Sequence, residues 1–147
     1  MTTIAELMTH DPITVGPHDS VQRAAQLMDE LNVGSLPVCA GRRVLGIVTD
    51  RDITVRATAA GLDPASTTVE LVMSDRVRCC HPQQTPAEVL QQMASVQIRR
   101  LPVVDEGNRL VGIVSLGDLA ARRPEGVEAA LRDISTPSEP DRVALAA

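Results

Sequence analysis

Leu36-Pro37-Val38, followed by Gly46-Ile47-Val48-Thr49-Asp50-Arg51-Asp52, returns later in the chain as Leu101-Pro102-Val103 and Gly112-Ile113-Val114-Ser115-Leu116-Gly117-Asp118. The spacing of 65 that joins Leu36 to Leu101 also joins Met8 to Met73, Pro17 to Pro82 and Met28 to Met93. One additional residue in the turn around Glu106-Gly107-Asn108 changes the spacing to 66, which then joins Gly46 to Gly112 and Asp52 to Asp118. Two copies of about sixty residues lie outside the shorter periods of solenoid arrays, which also need three or more units. A copy of this size has too little core to stand comfortably alone, so a pseudo-symmetric pair that buries the apolar faces together is expected.

Each copy reads as β-α-β-β-α. Ser20 occupies a helix N-cap position, and Thr85-Pro86-Ala87-Glu88 combines a capping box with proline at the first helical position. Val21, Ala24, Ala25, Met28 and Leu31 recur at helical spacing, as do Val89, Leu90, Met93 and Val96 more loosely, which predicts one amphipathic helix per copy. Two apolar runs follow, Leu36-Pro37-Val38-Cys39 and Val44-Leu45-Gly46-Ile47-Val48, separated by the turn former Ala40-Gly41-Arg42-Arg43. The second copy repeats them as Leu101-Pro102-Val103-Val104 and Leu110-Val111-Gly112-Ile113-Val114. Proline cannot donate to a ladder, so the first strand of each pair should start near it or lie at an edge. A second helix is expected over residues 52–60, closed by Gly61, with a counterpart that begins near Asp118 and ends before Pro124.

The fold class is therefore α/β (α+β), with two pseudo-symmetric repeats that bury their apolar faces against one another. Residues 1–66 are expected to hold the first repeat with an N-terminal segment, and residues 67–123 the second. Residues 61–68 read as a linker, and residues 124–147 as a short helix followed by a mobile tail.

Composition narrows the function. Across 147 residues, 44% are hydrophobic and 22% charged, which is ordinary for a folded soluble chain, and nowhere do about 18 apolar residues run together as a membrane span requires. The start of the sequence lacks the basic and apolar segments of a secretory signal, so a cytoplasmic location is expected. Three cysteines, two of them adjacent, cannot form an even disulfide framework and are expected as thiols. A net charge of −5 argues against nucleic acid as a partner. Phe, Tyr and Trp are absent, so core and pocket alike must rely on aliphatic contacts. No P-loop, dinucleotide glycine pattern or metalloprotease helix occurs, and His10 and His18 have no partners at triad spacing, which argues against an enzyme.

The duplicated β-α-β-β-α pattern carrying Leu-Pro-Val and then Gly-Ile-Val-Thr-Asp-Arg-Asp-Ile or Gly-Ile-Val-Ser-Leu-Gly-Asp-Leu resembles the CBS (cystathionine β-synthase) domain over residues 4–123. Thr49-Asp50-Arg51-Asp52-Ile53, with Ala60-Gly61-Leu62-Asp63-Pro64 after it, is similar to small free-standing CBS-pair proteins of the hypoxic-response type. The resemblance implies a Bateman module, two CBS repeats packed through their sheets, with one cleft per repeat for AMP, ADP, ATP, NAD or S-adenosylmethionine. It further implies a homodimer; an unidentified target protein reached in trans is expected, with no membrane from the composition and no metal from the adjacent cysteines.

In that family a hydroxyl and a carboxylate at the strand-to-helix junction face the ligand, which points to Thr49 with Asp52 and to Ser115 with Asp118. A carboxylate can accept two hydrogen bonds from a ribose diol, and a hydroxyl suits a phosphate. The same residues would serve equally as helix cap and dipole partner. The family often places phosphate-contacting basic residues where this chain has Ile98-Arg99-Arg100-Leu101-Pro102, and arginine suits bidentate phosphate contacts. The equivalent Val33-Gly34-Ser35-Leu36-Pro37 carries no charge, leaving Arg51 as the nearby cation, so unequal clefts are expected unless the two arginines are merely solvated. By the same resemblance, the adenine edge would lie against backbone near Thr14-Val15 in the first copy and Cys79-Cys80 in the second. Cys79, Cys80 and His81 also permit a thiol- or metal-responsive sensor. A structural dimerisation module with empty clefts is a third reading.

Overall fold

The computed structural model describes residues 2–121 and 127–135; the expected helix limit at Pro124 and the expected tail lie outside the described residues. The elements run α1 (Ile4–Leu7), β1 (Thr9–His10), α2 (Val21–Leu31), β2 (Ser35–Ala40), β3 (Arg43–Thr49), and α3 (Asp50–Asp52) passing into a π-helical turn (Ile53–Thr58). A 3-10 turn (Val69–Leu71) leads to α4 (Pro86–Val96), β4 (Arg100–Val104), β5 (Leu110–Ser115), α5 (Leu116–Ala120) and α6 (Val127–Ser135). Both repeats thus follow the expected β-α-β-β-α order, with the first strand reduced to a single parallel bridge, Val15 to Val38 and Cys80 to Val103.

Local chemistry accounts for the helix limits. Ser20 Oγ accepts the Arg23 amide at 3.0 Å. Thr85 Oγ1 accepts the Glu88 amide at 3.3 Å while Glu88 Oε1 accepts the Thr85 amide at 3.1 Å, the reciprocal pair read from the sequence. Each helix ends on a left-handed residue, Asn32 or Gln97. α2 buries Val21, Ala24 and Met28, whereas Ala25 and Leu31 are exposed. The stripe is narrower than its periodicity suggested, because a two-stranded sheet covers little of a helix.

The second helix of the first repeat departs from expectation. In place of an α-helix over residues 52–60, only Asp50–Asp52 is α-helical. The Ala59 amide then donates to Thr54 O and the Leu62 amide to Ala57 O, both at the wider i→i−5 spacing. Thr54 Oγ1 donates to Asp50 O at 3.0 Å, and this back-bonding within a β-branched run, Ile53-Thr54-Val55, favours the looser winding. Gly61, at φ 72°, closes the turn in the left-handed region.

Contacts divide the chain into two units. One comprises Asp11–Cys79 with Val104–Val111; the other comprises, among the described residues, 2–10, Cys80–Val103, 112–121 and 127–135. The first contains the antiparallel pair β2–β3, registered from Ser35 opposite Thr49 to Ala40 opposite Arg43, with Pro37 as the third residue of β2. Its core gathers Val15, Val21, Leu36, Val38, Val48 and Val69, and a smaller cluster joins Cys39, Val44, Val104 and Leu110. The second unit contains a sheet in the order β1-β5-β4 and buries Ile4, Leu90, Met93, Leu101 and Leu119.

The segment leading into each repeat packs in the unit of the other. Thr9 and His10 pair with Ile113 and Gly112, and the Ile4 and Ala5 amides donate to Gln84 O and Pro82 O. At equivalent positions, Ser74 bridges Ile47, and the Val69 and Glu70 amides donate to Asp19 O and Pro17 O. By contacts, residues 2–10 therefore lie with the second repeat, not with the first as the linear division had them. Glycine permits the close approach: a Cβ on Gly46 would lie 2.6 Å from Ser74 O, and one on Gly112 would lie 2.8 Å from Thr9 O.

The connection over residues 61–68 is ordered. Asp63 O accepts the Thr67 amide, Asp63 Oδ2 accepts the Ser66 hydroxyl at 2.8 Å, and Thr67 O accepts the amide of Val21 at the start of α2.

Candidate functional site

Each β-hairpin delivers its last residue into the cap of a short helix. The Thr49 amide donates to Asp52 Oδ2 at 3.0 Å and the Asp52 amide donates to Thr49 Oγ1 at 3.0 Å. Ser115 and Asp118 repeat the pattern at 2.9 and 3.1 Å. The capping role is therefore real in both repeats. It also leaves chemistry for a ligand: Oδ2 of each carboxylate is committed to the box, while Oδ1 has no protein partner among the described residues. The hydroxyl oxygens accept, so their protons remain to be donated. All four residues are half-buried.

The first unit brings the first-repeat candidates together through backbone pairing. Ser35 lies opposite Thr49 across β2–β3, Leu36 and Pro37 follow on β2, and the Val15 amide donates to Pro37 O at 3.1 Å. Arg51 is exposed on α3 beside Asp52. Thr14 lines a cavity of about 270 Å³ together with Asp11, Pro12, Cys39, Gly41, Arg42 and Leu110; Thr49, Arg51 and Asp52 do not line it. Arg42, which sequence reading treated as a turn residue only, reaches from this cavity to Leu110 O at 3.3 Å.

The second unit orders the corresponding residues in the same way. The Cys80 amide donates to Pro102 O at 2.9 Å, and the Leu116 amide donates to Arg99 O at 2.7 Å, which ties the arginine segment to the start of α5. Leu101 and Pro102 are buried, Ile98 is half-buried, and Arg99 and Arg100 are exposed.

Cys79 and Cys80, adjacent in sequence, part company. Cys80 is buried with its Sγ 3.7 Å from Pro102 O, whereas Cys79 packs beside the Cys39, Val44, Val104 and Leu110 cluster. Burial pushes both Cys39 and Cys79 above the ordinary thiol range, and for Cys39 the neighbouring Cys79 charge adds to the rise. All three cysteines are thiols, and His81 is exposed. Among the described residues no three His, Cys, Asp or Glu side chains converge as a metal site.

A feature that sequence reading passed over sits at Gly34. The Asp50 amide donates to Gly34 O at 2.9 Å, and a Cβ on Gly34 would lie 3.1 Å from Asp50 Oδ2. Comparison of the repeats held the signal, since Gly34 and Asp50 correspond to Arg99 and Leu116.

The sequence model of the CBS domain matches residues 4–57 and 69–125. The chain belongs to the CBS domain family. This CBS pair is 44% identical over 137 residues to CBS domain-containing protein YhcV of Bacillus subtilis, covering 92% of this chain and 96% of YhcV. It is 40% identical over 126 residues to hypoxic response protein 1 of Mycobacterium tuberculosis, covering 85% and 87%. The crystal structure of Hypoxic Response Protein I with two coordinated zinc ions matches with a TM-score of 0.76 at 38% identity, covering 84% of this chain and 100% of that one. The CBS domain pair of protein MJ0100, in complex with 5′-methylthioadenosine and S-adenosyl-L-methionine, matches with a TM-score of 0.73 at 28% identity, covering 84% and 96%. This CBS pair therefore has the mixed α/β fold of the family and is similar to its small stand-alone members. CBS pairs are regulatory modules, and some bind adenosine ligands.

Proposed function

We propose that this CBS pair is a non-catalytic cytoplasmic sensor that binds an adenosine-containing ligand and, as a homodimer, regulates a partner protein in trans. The observation that carries this reading is the duplicated capping box: each presents a carboxylate oxygen and a hydroxyl proton at a fixed position, suited to a ribose and the group beyond it. The adenosyl ligands of the MJ0100 pair support that ligand class. Thr14-Val15, Ser35-Leu36-Pro37 and Arg51 would complete the first site. Cys80, Ile98, Leu101 and Pro102, with Arg99 and Arg100 at a phosphate, would complete the second, and Cys79 is the candidate whose packing fits least. Among the described residues no helix is long and apolar enough to cross a membrane.

Regulation requires that the ligand bind two arrangements of the protein unequally. Lacking Trp, Tyr and Phe, the chain barely absorbs near 280 nm, so co-purified adenine stands out near 260 nm. Purified protein should carry such absorbance, or AMP should raise its melting temperature by mass action. Absence of both would contradict the reading.

The zinc of Hypoxic Response Protein I favours a second reading, a metal-responsive protein. Here Cys80 Sγ lies 3.7 Å from Pro102 O while Cys79 packs beside Cys39, Val44, Val104 and Leu110, and among the described residues no three His, Cys, Asp or Glu side chains converge. Metal analysis of purified protein, with Cys79→Ser and Cys80→Ser compared, tests it: bound zinc lost with either cysteine would restore the thiol site.

A further inference from the structure

We propose that Asp50 sets ligand class in the first repeat, so that its site takes an adenosine derivative without phosphate while the second repeat's site takes a phosphorylated one. This rests on the adenosyl-binding reading above and assigns each site its chemistry. The capping boxes are alike, but the two residues inside them are not: Thr49-Asp50-Arg51-Asp52 stands against Ser115-Leu116-Gly117-Asp118.

The backbone frame around these residues is the same in both repeats. Asp50 donates its amide to Gly34 O at 2.9 Å, and Leu116 donates its amide to Arg99 O at 2.7 Å. Only the side chains on that frame differ. Asp50 Oδ2 lies 3.1 Å from where a Cβ on Gly34 would be, so the carboxylate lies across the residue whose counterpart is Arg99. Asp50 Oδ1 accepts the Arg51 amide at 2.8 Å, which holds the carboxylate in place and occupies that donor.

Charge follows the same division. Asp50, Arg51 and Asp52 leave one net negative charge at the first site; Arg99, Arg100 and Asp118 leave one net positive charge at the second. A phosphate beside the first site meets a fixed like charge, whereas a neutral or cationic 5′ substituent does not. A phosphate beside the second lies near the segment that begins at Arg99, whose carbonyl accepts the Leu116 amide, and a guanidinium group suits it. Leu116, half-buried and uncharged, offers no repulsion.

The test is calorimetric titration of the whole chain with AMP and, separately, adenosine. Wild-type protein should take AMP at the second site and adenosine, but not AMP, at the first. Asp50→Leu, which copies the second repeat, and the near-isosteric Asp50→Asn should each strengthen AMP binding at the first site by at least about tenfold, with adenosine affinity unchanged. Adenosine binding at the first site with unaltered AMP affinity in both variants would overturn the role of Asp50 alone. If neither compound binds wild type or variants, the role falls together with the adenosyl reading.

Discussion

The Asp118 carboxylate receives the Ser115 amide on Oδ2 at 2.9 Å while the Asp118 amide donates to Ser115 Oγ at 3.1 Å, closing a ring of two hydrogen bonds around the start of α5. Thr49 and Asp52 close the same ring at the start of α3. Fixing both side chains before a ligand arrives removes rotamer entropy that binding would otherwise have to cover.

Removing either cap should cost stability. Thr49→Ala or Ser115→Ala leaves the amide three residues on without its acceptor, and a loss of about 1 kcal/mol is expected. Urea denaturation should show a lower midpoint at unchanged slope for each variant. An unchanged midpoint would mean that the box contributes nothing to folding.

Gly112→Ala and Gly46→Ala should be more damaging than ordinary strand substitutions. The added methyl on Gly112 would lie 2.5 Å from Met8 Sδ and 2.8 Å from Thr9 O, and that on Gly46 would lie 2.6 Å from Ser74 O. Backbone cannot retreat as a side-chain tip can, so a cost of about 1–3 kcal/mol is expected. Wild-type melting temperatures in both variants would refute the exchanged packing of the lead-in segments.

Asp105 should titrate below an ordinary aspartate. The Arg109 amide donates to its Oδ1 at 2.9 Å, the Gly107 amide does likewise, and the Arg109 and Arg42 charges add to the depression. A depressed carboxyl contributes its stability above the unfolded value of about 4 and loses it as acid protonates the folded form. Carboxyl carbon shifts followed from neutral pH into acid should place the Asp105 midpoint below those of unbonded aspartates. A midpoint at the ordinary value would remove the turn's anchoring role.

Cys39 and Cys79 should react slowly with an alkylating reagent at neutral pH, because burial raises both thiols and only the thiolate attacks. Reaction should accelerate sharply in urea. Rapid modification of the folded protein would contradict their placement in the aliphatic cluster.

The duplicated strands, the α2 and α4 caps and the cap role of Thr49 with Asp52 and of Ser115 with Asp118 were readable because each is written over a few neighbouring residues. The exchange of lead-in segments was not, since Gly46 and Gly112 read only as members of apolar strands until Ser74 and Thr9 lie against them. The same holds for Cys79 and Cys80, whose divergence depends on Pro102 and Leu110 far along the chain. The π-helical winding after Asp52 escaped because β-branched Ile53, Thr54 and Val55 lower helix propensity without announcing an alternative. Asp50 was quoted within a motif, yet its meaning emerged only against Gly34.

Calorimetric titration of AMP into wild-type protein and Asp118→Asn is the most direct test of the adenosyl-sensing account. Asparagine can still accept the Ser115 amide, so the cap should survive, but the charge and the outward carboxylate oxygen are gone. The account predicts wild-type binding weakened by at least about tenfold in the variant, with melting of the ligand-free protein little changed. Equal affinity in both proteins, or no AMP binding to wild type, would contradict it.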